Sequence, residues 1–222
     1  MIISPGRKYI FVHIPKTGGT SMALMLEGRA MKDDLLIGDT PKARRRKRRL
    51  ADLRPAGRLW KHSSLADIVG VVSLEDMYDC FVFTMVRNPW DRLVSYYYWL
   101  RGQSFSHPAV GMAKVLTFGD FVLDPATQDS FAKAPFGSYL TVDGRDYGSH
   151  YIRLEHLAED MTPLATHLGM RLPALTQENR SERTADWRPY YTDLTAEAVA
   201  RFAATDIARF GYGFDDFGRE KS

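Results

Sequence analysis

The chain has 222 residues, a single cysteine and a formal net charge of +3, with 45% hydrophobic and 26% charged residues. That balance excludes a disordered polyelectrolyte, and one cysteine excludes an internal disulfide framework. No apolar run approaches the about 20 residues of a membrane span, and the size suits one α/β domain, expected across 1–222, with a sizeable core.

The first element is the apolar run Ile10, Phe11, Val12 and Ile14, which reads as a buried parallel strand over 8–14. Lys16-Thr17-Gly18-Gly19-Thr20-Ser21 follows at once, and Met22, Leu24, Met25 and Leu26 continue as a helix near 19–29. Strand, glycine turn and helix start form a device for holding a phosphate. Gly18 and Gly19 permit the tight turn, so that unpaired amides at the helix N-terminus point at one anion. Lys16 adds a mobile positive charge, and Thr17, Thr20 and Ser21 add hydroxyl donors. The loop departs from the G-x-x-x-x-G-K-[ST] pattern of nucleotide hydrolases, because its lysine precedes the glycines and the loop is shorter. Fewer amides suit one terminal phosphate better than a triphosphate tail. Strand entry within eight residues leaves no room for a signal peptide, so a cytoplasmic location is expected.

Next comes Lys42-Ala43-Arg44-Arg45-Arg46-Lys47-Arg48-Arg49, which holds seven positive charges and leaves the rest of the chain at a net −4. A nucleic-acid-binding domain spreads its cations over a face and interleaves aromatics, which this chain does not do. The run reads either as a solvated segment, mobile without ligand, or as recognition of a polyanionic acceptor or anionic lipid. A helix is expected near 64–70, after Trp60-Lys61-His62-Ser63.

A second strand is expected over 79–86, ending in Arg87-Asn88-Pro89-Trp90-Asp91. Asn88 suits the N-cap, Pro89 the first helical position, and Asp91 the positive end of the helix dipole. Leu93, Tyr96, Tyr97 and Leu100 give the helix 89–101 an apolar face. Arg87 therefore sits at a strand end and Ser95 two turns into the following helix. A P-loop kinase would want an aspartate near such a strand end to hold magnesium, whereas an arginine with a hydroxyl is an anion clamp. Cys80, in the apolar strand, reads as a buried and inert thiol. Beyond it, 102–148 reads as short helices and loops, including a helix near 117–123. A strand at 150–154 and helices at 156–168 and 195–210 follow, the last with Thr195 as its cap. The sum is a mainly parallel, P-loop-like sheet flanked by helices.

Lys16-Thr17-Gly18-Gly19-Thr20-Ser21, paired with Arg87-Asn88-Pro89 and a serine eight residues after the arginine, resembles the sulfotransferase superfamily, whose donor is 3'-phosphoadenosine 5'-phosphosulfate. The His-Ile-Pro-Lys-Thr-Gly-Gly form is similar to the carbohydrate branch, the heparan 2-O-sulfotransferase-like enzymes among them. Tyr151-Ile152-Arg153-Leu154-Glu155-His156-Leu157, Asn179-Arg180-Ser181, Trp187, Tyr190-Tyr191 and Phe210-Gly211-Tyr212 resemble that branch's closing segments. The resemblance spans 8–21, 61–100 and 150–215, and leaves 30–60 and 102–148 as acceptor-side segments.

The resemblance implies that Lys16 to Ser21 bind the 5'-phosphosulfate and that Arg87 and Ser95 bind the 3'-phosphate. Arg183, or equally Arg180, would close a basic loop over the nucleotide. Order along the chain matches His62 to the family's base, and an imidazole accepts a proton at neutral pH. His13 is the competing base but alternates within the first strand and reads as packed. Lys16 would stabilise charge on the bridging oxygen as the sulfur–oxygen bond breaks. Glu155 reads as an acid or base, or as an arginine's partner; Trp187, Tyr190 and Tyr191 as stacking or core aromatics. The acceptor is expected to be a hydroxyl, on a carbohydrate that carries negative charge if the basic run recognises it. No nucleic acid and no metal are expected, since no His/Cys/carboxylate set has ligand spacing. The competing readings are a metal-dependent nucleotide kinase and a non-catalytic nucleotide- or polyanion-binding module.

Overall fold

The computed structural model of the chain describes residues 1–175 and 183–216. In chain order its elements are β1 Ile2–Ser4, β2 Tyr9–Val12, α1 Gly19–Gly28, β3 Leu35–Leu36, α2 Pro41–Arg46, α3 Leu74–Asp79, β4 Phe81–Val86, α4 Pro89–Arg101, α5 Pro108–Val115, α6 Phe118–Leu123, α7 Pro125–Ala132, β5 Thr141–Val142, β6 Arg145–Asp146, β7 His150–Arg153, α8 Leu157–Asp160, α9 Thr162–Leu168, α10 Asp193–Phe202 and α11 Ala204–Phe210. They fall into two compact units, Met1–Val86 with Phe136–Asn179, and Arg87–Pro135 with Arg180–Ser222.

The first unit is built on a five-stranded sheet in the order β3-β1-β2-β4-β7. β2 pairs with β4 and β4 with β7 in parallel, while β1 is antiparallel to both β2 and β3, so four strands share one direction. Every residue of β2 is buried, as a strand covered on both faces must be. Met22, Ala23 and Leu26 of α1 pack with Tyr9, Phe11, Phe83, Met85, Ile152 and Leu164 into one core. The Phe11 and Phe83 rings, opposite each other in the β2–β4 register, sit 5.2 Å apart. At the carboxyl ends of these strands the buried Thr84 hydroxyl donates to the Val12 carbonyl (2.7 Å), satisfying a polar group inside the sheet.

The second unit is helical and aromatic. Tyr97 of α4 packs against Phe118 and Phe121 of α6, each at 5.3 Å, and its hydroxyl donates to the Leu116 carbonyl at 2.8 Å. Trp90 Nε1 donates to the Ala196 carbonyl of α10 at 3.0 Å, and Tyr191 donates to the Trp90 carbonyl at 2.8 Å.

The α/β architecture is the one the sequence pattern implies, but several elements differ in extent. The strand expected over 79–86 starts at Phe81, because Leu74–Asp79 are helix, capped by Ser73 accepting from the Asp76 amide (3.0 Å). Around 64–70 only a 3-10 turn, Ala66–Ile68, forms before Gly70 takes φ +90°. The span 156–168 divides into α8 and α9, where Pro163 lacks the amide that would continue α8. The span 195–210 divides at Ala203, with no Gly or Pro to mark the break, and its cap is Thr192, with Thr195 completing a capping box. β1 and β3, only three and two residues long, carry no periodicity to read.

Candidate active site

After β2 the backbone turns through two left-handed residues, Lys16 at φ +66° and Gly18 at φ +87°. A lysine in that region is held against its preference by the structure around it. Thr17 supplies the hold: fully buried, its hydroxyl donates inward to the Ile14 carbonyl at 2.9 Å. Its hydroxyl proton is thereby committed to the turn, and what Thr17 can offer an anion is its amide.

α1 then starts at Gly19 with Gly18 as its cap residue, no side chain capping it and no acid in its first turn. Thr40, Ser73, Asn88 and Thr117 perform that service for their own helices. The N-terminus of α1 therefore keeps amides and partial positive charge for an external anion. Thr20 is half-buried and Ser21 buried beside it. Gly19 is glycine because of His13: a Cβ there would lie 2.1 Å from His13 Cδ2 and 2.6 Å from Nε2. At Gly18 the obstacle is Leu154 Cδ1, 3.0 Å from a Cβ.

His62 belongs to the same unit and is tied to the same loop. Its Nδ1–H donates to the His13 carbonyl at 2.7 Å; a carbonyl can only accept, so Nδ1 carries the proton and Nε2 the lone pair. The turn that presents it is locked by buried Ser63, which accepts from the Trp60 amide (2.9 Å) and donates to the Arg58 carbonyl (2.7 Å). The His62 ring meets His13 edge-on at 4.6 Å and Trp60 at 5.0 Å. Burial, with Lys61 adding to it, lowers the His62 pKa to about 4, against the hydrogen bond to His13. His13 is pushed well below its ordinary value by its own burial and by His62, Lys61 and Lys16. Both rings are thus neutral near pH 7. His13 lies just past β2, buried at 7% exposure, as the strand alternation suggests.

The other predicted anion clamp lies in the second unit. Asn88 caps α4 by accepting from the Trp90 amide at 3.1 Å, and Pro89 opens the helix. Arg87, Asp91 and Ser95 follow at i, i+4 and i+8 along one face. Asp91 Oδ2 accepts from Arg87 Nε at 2.7 Å, while its Oδ1 accepts from Arg183 Nη2 at 2.5 Å. One buried carboxylate therefore gathers both arginines, with buried Ser95 a turn further on. Sequence reasoning saw Asp91 only as a dipole partner; the four-residue spacing from Arg87 was the available signal for more. Arg180 lies outside the described residues. Trp187 is buried, with Nε1 donating to the Phe214 carbonyl at 3.0 Å, and Tyr191 is held by Trp90, so both serve the core. Tyr190 is half-buried, and its hydroxyl accepts from the Thr184 amide at 3.2 Å.

The basic run is helical, α2 passing into a 3-10 turn over Lys47–Leu50. Thr40 caps α2, accepting from the Ala43 amide at 3.1 Å. Three of the cations are tied to backbone carbonyls: Lys42 donates to the Glu27 carbonyl in the last turn of α1, while Arg46 donates to Met31 (2.6 Å) and Arg49 to Lys32 in the loop that follows α1. A cation suits a helix C-terminus, as Lys42 shows, and the two arginines satisfy loop carbonyls, so these three gain contacts that the charge run alone did not suggest. Glu155 is exposed in the 3-10 turn Leu154–His156, and Arg153 is held by Asp160 through two bonds of 2.8 Å. Cys80 is half-buried between α3 and β4 rather than inside a strand, with burial raising its pKa. Among the described residues no three His, Cys, Asp or Glu side chains converge as a metal site requires, and no helix is long and apolar enough to cross a membrane.

The first unit is thus an α/β sheet whose β2 opens into an uncapped, glycine-turned helix end, with a neutral imidazole hydrogen-bonded to that loop. The sequence matches the Sulfotransferase family over residues 1–134, more than half the chain, and the protein belongs to that family. No curated protein matches it. Among solved structures it is similar to mouse sulfotransferase SULT7A1 complexed with PAP, at 14% identity over 94% of this chain and 87% of that one, with a TM-score of 0.46. The protein is a sulfotransferase.

Proposed function

We propose that the protein transfers a sulfuryl group from 3'-phosphoadenosine 5'-phosphosulfate to a carbohydrate hydroxyl, acting as one catalytic domain over 1–222. The observation that carries this reading is the His62–His13 hydrogen bond of 2.7 Å, which fixes an imidazole lone pair beside an uncapped helix N-terminus. Lys16, Thr17, Gly18, Gly19, Thr20 and Ser21 hold the 5'-phosphosulfate through amides, the Thr20 and Ser21 hydroxyls and the Lys16 ammonium. Arg87, Ser95 and Arg183 hold the 3'-phosphate, Asp91 setting the two guanidinium groups. The acceptor oxygen attacks sulfur in line as its proton passes to His62 Nε2. The bond from sulfur to the bridging oxygen breaks, and its electron pair leaves on the phosphate of adenosine 3',5'-bisphosphate, where Lys16 stabilises it.

A carbohydrate acceptor is supported by Trp60, 41% exposed beside His62, with the Arg58 guanidinium 5.2 Å from its ring. An exposed indole offers a flat apolar face for a sugar ring, and Arg58 adds a charge for an acidic one. The deciding experiment is donor and acceptor kinetics of His62→Ala. Turnover should fall about 10²–10⁴-fold while adenosine 3',5'-bisphosphate affinity stays within about twofold. Full turnover in the variant would remove His62 as the base.

A further inference from the structure

The proposed chemistry leaves one buried group of the loop without a task. His13 is 93% removed from solvent, and no hydrogen bond to its ring nitrogens is seen among the described residues; neither nitrogen is sealed off as the unpaired Ser4, Asp34 and Thr127 oxygens are, so the ring keeps an edge open to a ligand. A neutral imidazole always carries one N–H, and here it is left for a partner from outside the chain. Packing alone is a poor reason for such a residue, since Phe11 stacks on the ring at 6.0 Å and would accept an apolar neighbour as readily. Its placement is specific. The Cδ2–Nε2 edge presses on Gly19 so closely that this position admits no side chain, and the opposite contact is His62, 4.6 Å away between ring centres. His13 thus touches both the residue that opens α1 and the residue that receives the acceptor's proton. In an in-line transfer the sulfur travels between those two points.

We propose that His13, as a neutral imidazole, donates a hydrogen bond from Nε2 to a non-bridging oxygen of the sulfuryl group in flight. This rests on the donor reading given above and adds a contact to it. The sulfuryl oxygens are the part of the donor that the product nucleotide lacks, so His13 should distinguish the two nucleotides. A residue that only braced the loop would affect both alike. The donor also answers a requirement of the reaction: negative charge on the sulfuryl oxygens needs partners that do not compete with His62 for the proton, and a neutral N–H meets it.

The test is calorimetric titration of wild type, His13→Ala and His13→Asn with each nucleotide. Wild type should bind both. His13→Ala should bind 3'-phosphoadenosine 5'-phosphosulfate about tenfold more weakly and adenosine 3',5'-bisphosphate within about twofold of wild type. His13→Asn, which restores an N–H donor, should recover part of the loss. Release of sulfate to water, which needs no acceptor, should slow in the same order. Equal weakening for both nucleotides, or no change for either, overturns the proposal. A wild type that binds neither overturns the donor reading itself. Because alanine can leave a hole at the loop, the wild type is also to be titrated with histidine nitrogens labelled. The His13 ring N–H signal should move with the sulfate-bearing nucleotide and stay in place with the bisphosphate; identical responses would sink the idea without any variant.

Discussion

Two strand-to-helix junctions in this protein solve the same local problem in opposite ways. Where β2 passes into α1, the helix end is left open: a glycine in the cap position, no side-chain acceptor and no acid in the first turn. Where β4 ends and α4 begins, the helix end is filled: Asn88 accepts the Trp90 amide, Pro89 removes an amide that would need a partner, and Asp91 sits in the first turn. The first junction leaves its positive end without a side-chain cap, which is what the proposed grip on the 5'-phosphosulfate by backbone amides requires. The second spends its positive end on its own carboxylate and uses that carboxylate to aim two arginines. Amides at a helix end suit a group whose charge is redistributed during reaction, because they are fixed dipoles needing no reorganisation. Guanidinium groups held by a carboxylate suit an anion that is only to be gripped.

Closing the open junction should have the largest effect. Gly19→Ala places a methyl group 2.1 Å from His13 Cδ2, so the buried ring or the loop must shift. The expected cost is about 3 kcal/mol of stability with nucleotide affinity down on the order of 100-fold. Gly28→Ala is the control, since a Cβ at the far end of the same helix meets nothing within 4 Å. It should be neutral or stabilising by up to about 1 kcal/mol. Urea unfolding and calorimetry with adenosine 3',5'-bisphosphate report both quantities.

Emptying the filled junction comes next. Asp91→Asn keeps the shape but removes the charge shared by Arg87 and Arg183, and half-broken buried pairs are costly. A loss of about 3 kcal/mol in urea unfolding is expected. The preference for adenosine 3',5'-bisphosphate over adenosine 5'-monophosphate should shrink as well, because the arginines lose their aim. An unchanged preference would mean that these arginines do not read the 3'-phosphate.

The open junction has a pH signature of its own. The folded pKa of His62 lies near 4, below its ordinary value of about 6.5, so between those values the unfolded chain binds more protons. His62 therefore contributes stability that is fully present above about pH 6.5 and lost as pH falls toward 4. The stability difference between wild type and His62→Gln should narrow over that window, by at most about 3 kcal/mol. A difference that stays constant from pH 7 to pH 4.5 would show that the ring is not held neutral.

Much of this was legible in the residues. Lys16 to Ser21 after an apolar strand, and Asn88-Pro89 before an amphipathic helix, carry their structure in local chemistry that tertiary context did not alter. What was not legible depends on distance in the chain. The clash that makes Gly19 obligatory comes from a residue six positions earlier, folded back by a turn. Asp91 acquires its second arginine from position 183, which no spacing rule connects to it. Short strands such as β3 exist only because β1 is there to pair with them. α2 was missed for a different reason: seven cations obscured the Thr40-Pro41 start signal, and the carbonyls that three of them reach lie in the last turn of α1 and the loop beyond it.

That division within the basic run gives the smallest and most discriminating prediction. Arg44, Arg45 and Arg48 are exposed, and their side chains make no hydrogen bond or ion pair among the described residues, whereas Arg46 and Arg49 hold the loop that follows α1. Replacing Arg46 and Arg49 with Gln should lower stability by about 1 kcal/mol in total, since exposed charge-assisted bonds are modest. Replacing Arg44, Arg45 and Arg48 with Gln should leave stability and nucleotide affinity unchanged. If the acceptor is anionic, that triple variant should raise its KM several-fold at low salt and converge with wild type near 0.5 M salt. A Debye length of about 10 Å at 0.1 M shrinks enough by then to screen surface attraction. Acceptor kinetics across an ionic-strength series make the comparison. Parallel curves with equal constants would reduce the exposed arginines to solvated surface, and leave the end of α1 and the loop beyond it as the whole reason for the run.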